Sequence, residues 1–350
     1  MTERRAEKYV KQYYEDKKVI VDKGKISEIA EKLVGIRRCN GIHPGGIILV
    51  PEGSDIYSYT PIITGMPDGI PNTQIEYHDL DGLLLKFDLL GHNTQSFLKY
   101  LYDATGIDPV TVPLEDGKVM SLFSGIEELG INSDKIGGVK VGTLGVPEFG
   151  SYSVRRALEF IRPKRFSDLI RVQSLMHATW ERDPFEIIID KGISISEFIG
   201  NRDDIMFCLI DKGVDRETAF MVMESVRKGK PCKEKWVERL LEIGVPDWYI
   251  SLFEKIKYLF PKAHAANYTL MSWRLLYYKL YYPEAFYKGW LKYGAHEIDE
   301  DFVRRGYDFA KKEFDALLIK NHKKMGYRQQ YKLDDLLVVM EMCSRGVHLE

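Results

Sequence analysis

Leu83-Leu84-Leu85-Lys86-Phe87-Asp88-Leu89-Leu90-Gly91-His92 is the stretch on which the fold turns. An apolar run this short, closed by a glycine, predicts a buried strand over Leu83 to Leu90. Lys86 and Asp88 stand two apart, so both project from one face of that strand. Burying a lysine and an aspartate among Leu and Phe is costly unless they are paired or liganded. An internal ion pair, a solvent-facing strand side and a functional pair all fit, and the flanking sequence has to decide among them.

Before this run, residues 3–34 read as two helices broken near Asp22-Lys23-Gly24, with Ile26, Ile29, Leu33 and Val34 at helical spacing in the second. Gly41-Ile42-His43-Pro44-Gly45-Gly46 is turn chemistry, and Ile47 to Val50 is a strand candidate ended by Pro51. Ser54 to Thr73 predicts a long loop carrying a short strand. After the run, Thr94 to Ala104 predicts an amphipathic helix. From Gly106 onward the chain is helical, with prolines at element ends. Ser194-Ile195-Ser196-Glu197 and Asp215-Arg216-Glu217 read as helix starts, and Pro261 leads into a long helix ending near Tyr282-Pro283. The layout is α+β, mostly α: a small mixed unit followed by a larger helical one, divided near residue 105.

The 350 residues suffice for two or three compact domains. No apolar run is long enough to span a bilayer, and the N-terminal residues carry no signal-peptide core. Cys39, Cys208, Cys232 and Cys343 are scattered without CxxC spacing, which argues against a zinc knuckle or disulfide framework. A cytoplasmic protein without a membrane partner is expected. The net charge of −2 conceals segregation. Basic residues gather at Arg155-Arg156, Arg162-Pro163-Lys164-Arg165, Arg227-Lys228-Gly229-Lys230, Lys255 to Lys262 and Arg304-Arg305; acidic ones gather around Asp55 to Asp116 and Glu297 to Asp301. Such clusters are either polyanion-binding faces or solvated helix surfaces.

Several constellations could carry chemistry. His43-Pro44-Gly45-Gly46 lets a backbone approach a ligand closely before a strand, yet it lacks P-loop and dinucleotide spacing and equally reads as a plain turn. Arg202 beside Asp203 and Asp204 at a helix start could be offered to a phosphate, or the acids could cap the helix and form a surface salt bridge. Arg227 and Lys228 end a helix, where cations suit the dipole; a nucleic-acid phosphate is the alternative. Lys262 falls in a first helical turn, where a cation is misplaced unless an anion sits there. His264 and Tyr268 share its face, so a cation, an imidazole and a ring could meet a triphosphate and stack on a base; a core helix with a hydrogen-bonded histidine is the alternative. Asp79-Leu80-Asp81 has the spacing of a two-metal carboxylate pair but precedes Gly82 and reads as a polar turn, so it is assigned no metal.

Taken in order, Gly41 to Gly46, Leu84 to His92, Gly142-Thr143-Leu144-Gly145-Val146-Pro147-Glu148-Phe149-Gly150, Arg202 to Met206, Met223 to Lys230 and Lys255 to Ala266 resemble the PolC-type bacterial DNA polymerase III α subunits, a family of C-type replicative polymerases. The resemblance implies a partial nucleotidyltransferase-type palm followed by helical fingers: residues 1–104 as the end of the palm, 105–300 as the fingers, and 301–350 as a helical extension toward a downstream DNA- and clamp-binding region. It implies that Asp88 is catalytic, as one of three carboxylates holding Mg²⁺. Arg202, Lys262 and His264 would bind nucleotide, and His43, Gly45, Gly46, Lys86, Arg227 and Lys228 would lie near primer or DNA. The implied reaction is attack of a primer 3′-hydroxyl on the α-phosphate of a dNTP.

In the family the other two metal-binding aspartates precede the point where this sequence starts. The isolated chain is therefore expected to be inactive and to depend on the rest of the polymerase chain or a complementing subunit; a sliding clamp would be reached only through regions outside it. Asn93-Thr94-Gln95 stands where the family tends to carry acidic residues, and His177-Ala178-Thr179-Trp180 replaces a His-Gly-Thr-Asp segment. These departures keep a second reading open, a stand-alone, non-catalytic relative that binds nucleic acid or a partner.

Overall fold

The computed structural model describes residues 3–36, 42–43, 45–64, 69–75, 79, 82–89, 91–320 and 326–348. Of the motifs above, Gly41, Pro44, Leu80, Asp81 and Leu90, and also Cys39, lie outside the described residues. Two compact units are present, residues 1–91 and 92–350.

In the first unit, α1 (Glu3–Asp16) and α2 (Lys23–Leu33) form a helical hairpin that buries Ala6, Val10 and Ala30. Asp22 starts α2 by accepting the amide of Lys25 at 2.9 Å, which satisfies one of the free N–H groups of the first turn. Then β1 (Gly46–Leu49) pairs with β4 (Leu85–Asp88), antiparallel, and two short strands between them, β2 (Ile62–Ile63) and β3 (Asn72–Thr73), pair with each other.

The strand at the centre of the sequence reading is shorter than expected, and it is not buried. Register sets Ile47 opposite Phe87 and Leu49 opposite Leu85 on one face. All four are about half exposed, as are Leu83 and Leu89. A run of Leu and Phe reports hydrophobicity; burial needs a second layer, and a two-stranded ribbon does not provide one for itself.

The second unit opens with α3 (Asn93–Thr105), followed by α4 (Gly117–Ser121), α5 (Tyr152–Ile161), α6 (Phe166–His177), β5 (Thr179–Trp180) and α7 (Pro184–Lys191). It continues with α8 (Arg202–Asp211), α9 (Arg216–Arg227), α10 (Glu234–Glu242), α11 (Asp247–Ile250) and β6 (Ile256–Tyr258). The last helices are α12 (Lys262–Tyr281), α13 (Pro283–Tyr293), α14 (Glu300–Val303), α15 (Gly306–Lys320) and α16 (Tyr327–Ser344). Asp215 caps α9 as its sequence predicts, accepting the amide of Thr218 at 2.9 Å. Ser194 starts no helix: its hydroxyl accepts the amide of Ser196 at 3.3 Å and closes a turn.

A division near residue 105 would put α3 in the first unit, but this helix belongs to the second. Phe97 on α3 meets Phe286 on α13 at 5.4 Å between ring centroids, and a Cβ on Gly289 would lie 2.4 Å from the Phe97 ring. Helix α12 runs through the core, burying Trp273, Leu275, Leu276, Tyr278 and Lys279. Lys279 is wholly buried. Its ammonium donates to the carbonyls of Gly142 and Leu144, both at 2.7 Å, and pairs with Glu341 Oε1 at 2.6 Å. The Tyr287 hydroxyl donates to the same Glu341 oxygen at 2.7 Å. Burial pulls the Lys279 pKa down to about 8, against the opposing pull of Glu341. This network pins the Gly142–Gly150 segment to α12, α13 and α16.

Candidate functional site

The β1–β4 ribbon gathers one set of the singled-out residues. Register places Gly46 directly opposite Asp88. The face opposite the exposed apolar one holds Lys86, whose ammonium lies 3.0 Å from Asp88 Oδ1. His43 Nδ1 lies 3.9 Å from the same oxygen and accepts the Gly45 amide at 3.2 Å. Gly46 lets both side chains close over it: a Cβ there would stand 2.9 Å from His43 Nδ1 and 3.0 Å from Lys86 Cε, so both would have to shift. His43, Gly45, Gly46, Lys86 and Asp88 thus lie together, around a carboxylate that is 46% exposed. The ion-pair reading is realised as well, and a pair this open contributes at most about 1 kcal/mol.

Asp88 is a hard oxygen donor suited to a divalent ion such as Mg²⁺. It supplies a single carboxylate, and no group of three or more metal-ligating side chains occurs among the described residues. Lys86 already occupies one of its oxygens, so the residues present fit one arm of a metal site.

In the second unit, the N-termini of α8 and α12 meet. Asn201, not an aspartate, caps α8 by accepting the amide of Asp204 at 3.0 Å. Asp203 reaches across to accept the Lys262 amide at 2.9 Å, serving the start of α12. Asp204 accepts the Gly200 amide at 3.1 Å and lies 3.3 Å from Arg171 Nε. The two singled-out cations are held loosely. Arg202 Nε is 3.9 Å from Asp203, and Lys262 Nζ is 3.8 Å from Asp204 and 5.8 Å from the exposed Phe207 ring.

A series of rings runs beside these cations. His177 stacks on Phe260 at 4.9 Å, Phe260 meets His264 at 5.0 Å, His264 meets Tyr268 at 4.5 Å, and Tyr268 meets His92 at 5.3 Å. His264 is exposed and Tyr268 half-buried, whereas Met271 and Leu275 on the same face enter the core. The start of α12 therefore presents the His264 ring outward, while Tyr268 packs partly against the core. The β5–β6 pairing makes this possible, because it brings the end of α6 to the start of α12.

Glu148, which sequence reasoning missed as a site residue, orients the far end of this series. Its Oε2 lies 3.1 Å from His177 Nε2 and accepts from Gln173 Nε2 at 2.7 Å. The backbone of Glu148 has φ +69°, a conformation costly for a residue with a Cβ, and the segment that holds it is the one Lys279 pins. The His177 hydrogen bond, the largest cause, holds the Glu148 carboxyl below the ordinary range, aided by Gln173 and opposed by burial. A depressed carboxyl stabilises the fold above the unfolded pKa near 4.5 and loses that contribution as pH falls through its folded value. The thermal-midpoint difference between wild type and Glu148→Gln is therefore expected to shrink as pH drops below about 4.5; a constant difference down to pH 3 contradicts this.

Arg227 and Lys228 share one carboxylate. Glu224 hydrogen-bonds Arg227 and lies 3.0 Å from Lys228, and the Arg227 bond is the main cause that draws its pKa down to about 2. Gly229 follows with φ +68°, and a Cβ there would stand 2.7 Å from the Lys257 carbonyl, so the basic turn lies against β6. Neither residue joins the Arg202–Lys262 cluster through any contact described for it.

The sequence matches two families. Residues 1–91 match the bacterial DNA polymerase III alpha NTPase domain and residues 92–243 the bacterial DNA polymerase III alpha subunit finger domain, meeting where the two compact units meet. A protein described as DNA polymerase III PolC-type from Caldanaerobacter subterraneus subsp. tengcongensis is 40% identical over 344 residues, covering 97% of this chain and 24% of that protein. Proteins of the same description from Clostridium perfringens and Bacillus subtilis are each 38% identical, over 99% of this chain and 24% of their own length. The chain thus spans about a quarter of the length of these relatives.

Proposed function

Since the chain belongs to the bacterial DNA polymerase III alpha family, we propose that it supplies the end of the palm and the fingers of a DNA-directed DNA polymerase. The observation that carries this reading is the meeting of two helix N-termini with Arg202, Lys262, His264 and Tyr268 in one place. Helix N-termini favour anions, and both cations have partners distant enough to be exchanged for phosphate. Arg202 and Lys262 bind the triphosphate of a dNTP, and the exposed ring of His264 with the half-buried ring of Tyr268 packs against its base or sugar. Gln173 and Glu148 hold His177, and through Phe260 they hold His264 in place.

In the palm, Asp88 is one arm of the metal site, with Lys86 and His43 beside it. A divalent ion such as Mg²⁺ supplies charge neutralisation at the reacting phosphate. Lys86 engages only Oδ1 of Asp88, which leaves Oδ2 to serve a cation, and a phosphate of primer or nucleotide is a second partner for the Lys86 ammonium. The primer 3′-oxygen bonds to the α-phosphorus, the bond to the β-phosphate oxygen breaks, and pyrophosphate leaves as the hydroxyl proton is lost. One carboxylate does not organise two ions, so the remaining carboxylates come from the rest of the polymerase chain or a complementing subunit. Primer-template DNA and dNTP are the partners of the assembled enzyme, and a sliding clamp would engage other regions. Among the described residues no helix is long and apolar enough to cross a membrane.

Titration of the chain with a dNTP tests the fingers. Arg202→Ala and Lys262→Ala should each lower affinity by about 5- to 150-fold, the equivalent of roughly 1–3 kcal/mol for a charge-assisted phosphate contact. Unchanged titrations would return both cations to surface pairing. The Lys86–Asp88 ion pair also suits a non-catalytic relative, and such a protein would lose no function on Asp88→Asn.

A further inference from the structure

The basic cluster between Arg155 and Arg165 takes no part in the site above, and the structure divides it. Arg155 is buried, bonded to the Gly150 carbonyl and paired with Asp334 at 3.0 Å. Arg156, Arg162, Lys164 and Arg165 are exposed, and none makes an ion pair among the described residues. Arg156 lies between two exposed rings of α5, with its guanidinium carbon 6.0 Å from the Tyr152 ring and 5.7 Å from the Phe160 ring. Tyr152 is 53% and Phe160 57% exposed. A helix C-terminus explains a cation at Arg162. It does not explain two large rings left in solvent with an arginine between them.

The cations that follow are held in a fixed turn. Arg162 ends the helix at φ +46°, and buried Asp168 accepts the amides of Lys164 and Arg165, both at 3.1 Å. Beside Phe160 lies a groove of about 520 Å³, lined by Arg162 and Lys164 at its rim and by Ile161, Ile188 and Ile193. The volume is within the range of small-ligand clefts.

We propose that the outer face of α5 and the Arg162–Arg165 turn form a track for single-stranded nucleic acid, with bases stacking on Tyr152, Arg156 and Phe160 and phosphates meeting Arg162, Lys164 and Arg165. Residues four apart on a helix rise about 6 Å. Bases in a duplex strand are ~3.4 Å apart and cover one another, so these platforms fit an extended, unstacked strand. An acidic peptide would use the cations and leave the rings idle. The track extends the polymerase reading by giving the unpaired template a path outside the nucleotide site, and it rests on that reading for its occupant.

The test uses the full chain, fluorescein-labelled dT12 and a 12-base-pair duplex, followed by anisotropy over a range of salt. Tyr152→Ser combined with Phe160→Ser should weaken dT12 binding about 10- to 100-fold and leave the salt dependence unchanged. Lys164→Gln combined with Arg165→Gln should flatten the log–log salt slope by about 1.4, the share of two phosphates on a single strand. Lys235→Gln, at an exposed position on α10, should change neither, and duplex binding should be nearly unaffected by the ring variant. All substituted side chains are exposed, and unchanged thermal midpoints check that the fold persists.

Absence of dT12 binding at low salt overturns the track, as does wild-type binding by both double variants. A loss with the cation variant alone, reversed by polyglutamate, overturns it in favour of an acidic protein partner. Titration of the same proteins with a dNTP separates the two claims: lost dNTP binding in wild type strikes the polymerase reading, whereas intact dNTP binding with unaltered dT12 binding in the variants strikes only the track.

Discussion

Asp88→Asn should lower primer extension by about 10²- to 10⁴-fold when residues 1–350 are grafted in place of the matching quarter of a full-length PolC-type relative. A metal-binding carboxylate accounts for several kcal/mol of transition-state stabilisation, and each 1.36 kcal/mol is tenfold in rate. Stability should hardly change. The Lys86–Asp88 pair is half exposed on the aspartate side, and such pairs contribute at most about 1 kcal/mol. The combination is what matters: a large loss of rate, a thermal midpoint within a few degrees of wild type, and dNTP affinity preserved in the second unit. An equal loss of rate and stability would mark Asp88 as half of a structural pair.

Lys279→Ala is expected to have the largest effect on folding, about 3–5 kcal/mol, because removing one partner of a buried pair strands the other. Glu341 would keep a buried charge, and the carbonyls of Gly142 and Leu144 would each lose a donor. At ~2–4 °C per kcal/mol for a unit of this size, the thermal midpoint should fall by roughly 6–20 °C. The double substitution Lys279→Met with Glu341→Met should recover much of this, since well-packed apolar residues often replace a buried pair without loss. A fall of less than about 1 kcal/mol for Lys279→Ala, measured by urea unfolding, would show that the pair is dispensable. The consequence reaches the nucleotide surface, because the segment Lys279 pins carries Glu148, and Glu148 orients His177.

Local chemistry was legible in the sequence where the structure depends on neighbours in the chain. Asp22 and Asp215 start helices because a side-chain oxygen needs an amide only three residues on. Pro261 gave the start of α12, while the spacing of His264 and Tyr268 gave only their shared face and left open whether it enters the core. Ser194 misled because the same hydroxyl that caps helices also closes turns. What the sequence hid is what distant segments decide. The Leu-rich strand is exposed since no run of residues states what will cover it. Residue 105 looked like a boundary, yet the aromatic face of α3 is matched by rings on α13. Glu148 and His177 are 29 positions apart, and nothing in either motif announces the other. For Glu148 the available signal was its place in a segment with three glycines, Gly142, Gly145 and Gly150, where a strained backbone is plausible for a purpose. Lys279 and Glu341 carried no signal of pairing, since they lie 62 positions apart on helices that also carry other charges.

The most direct test of the central claim is Mg²⁺-dependent, template-directed primer extension by that graft, set beside the same assay on residues 1–350 alone. The account predicts extension by the graft and none by the isolated chain, whose single carboxylate needs the others. Extension by the isolated chain would contradict it, as would a folded graft that binds primer-template and dNTP yet adds no nucleotide.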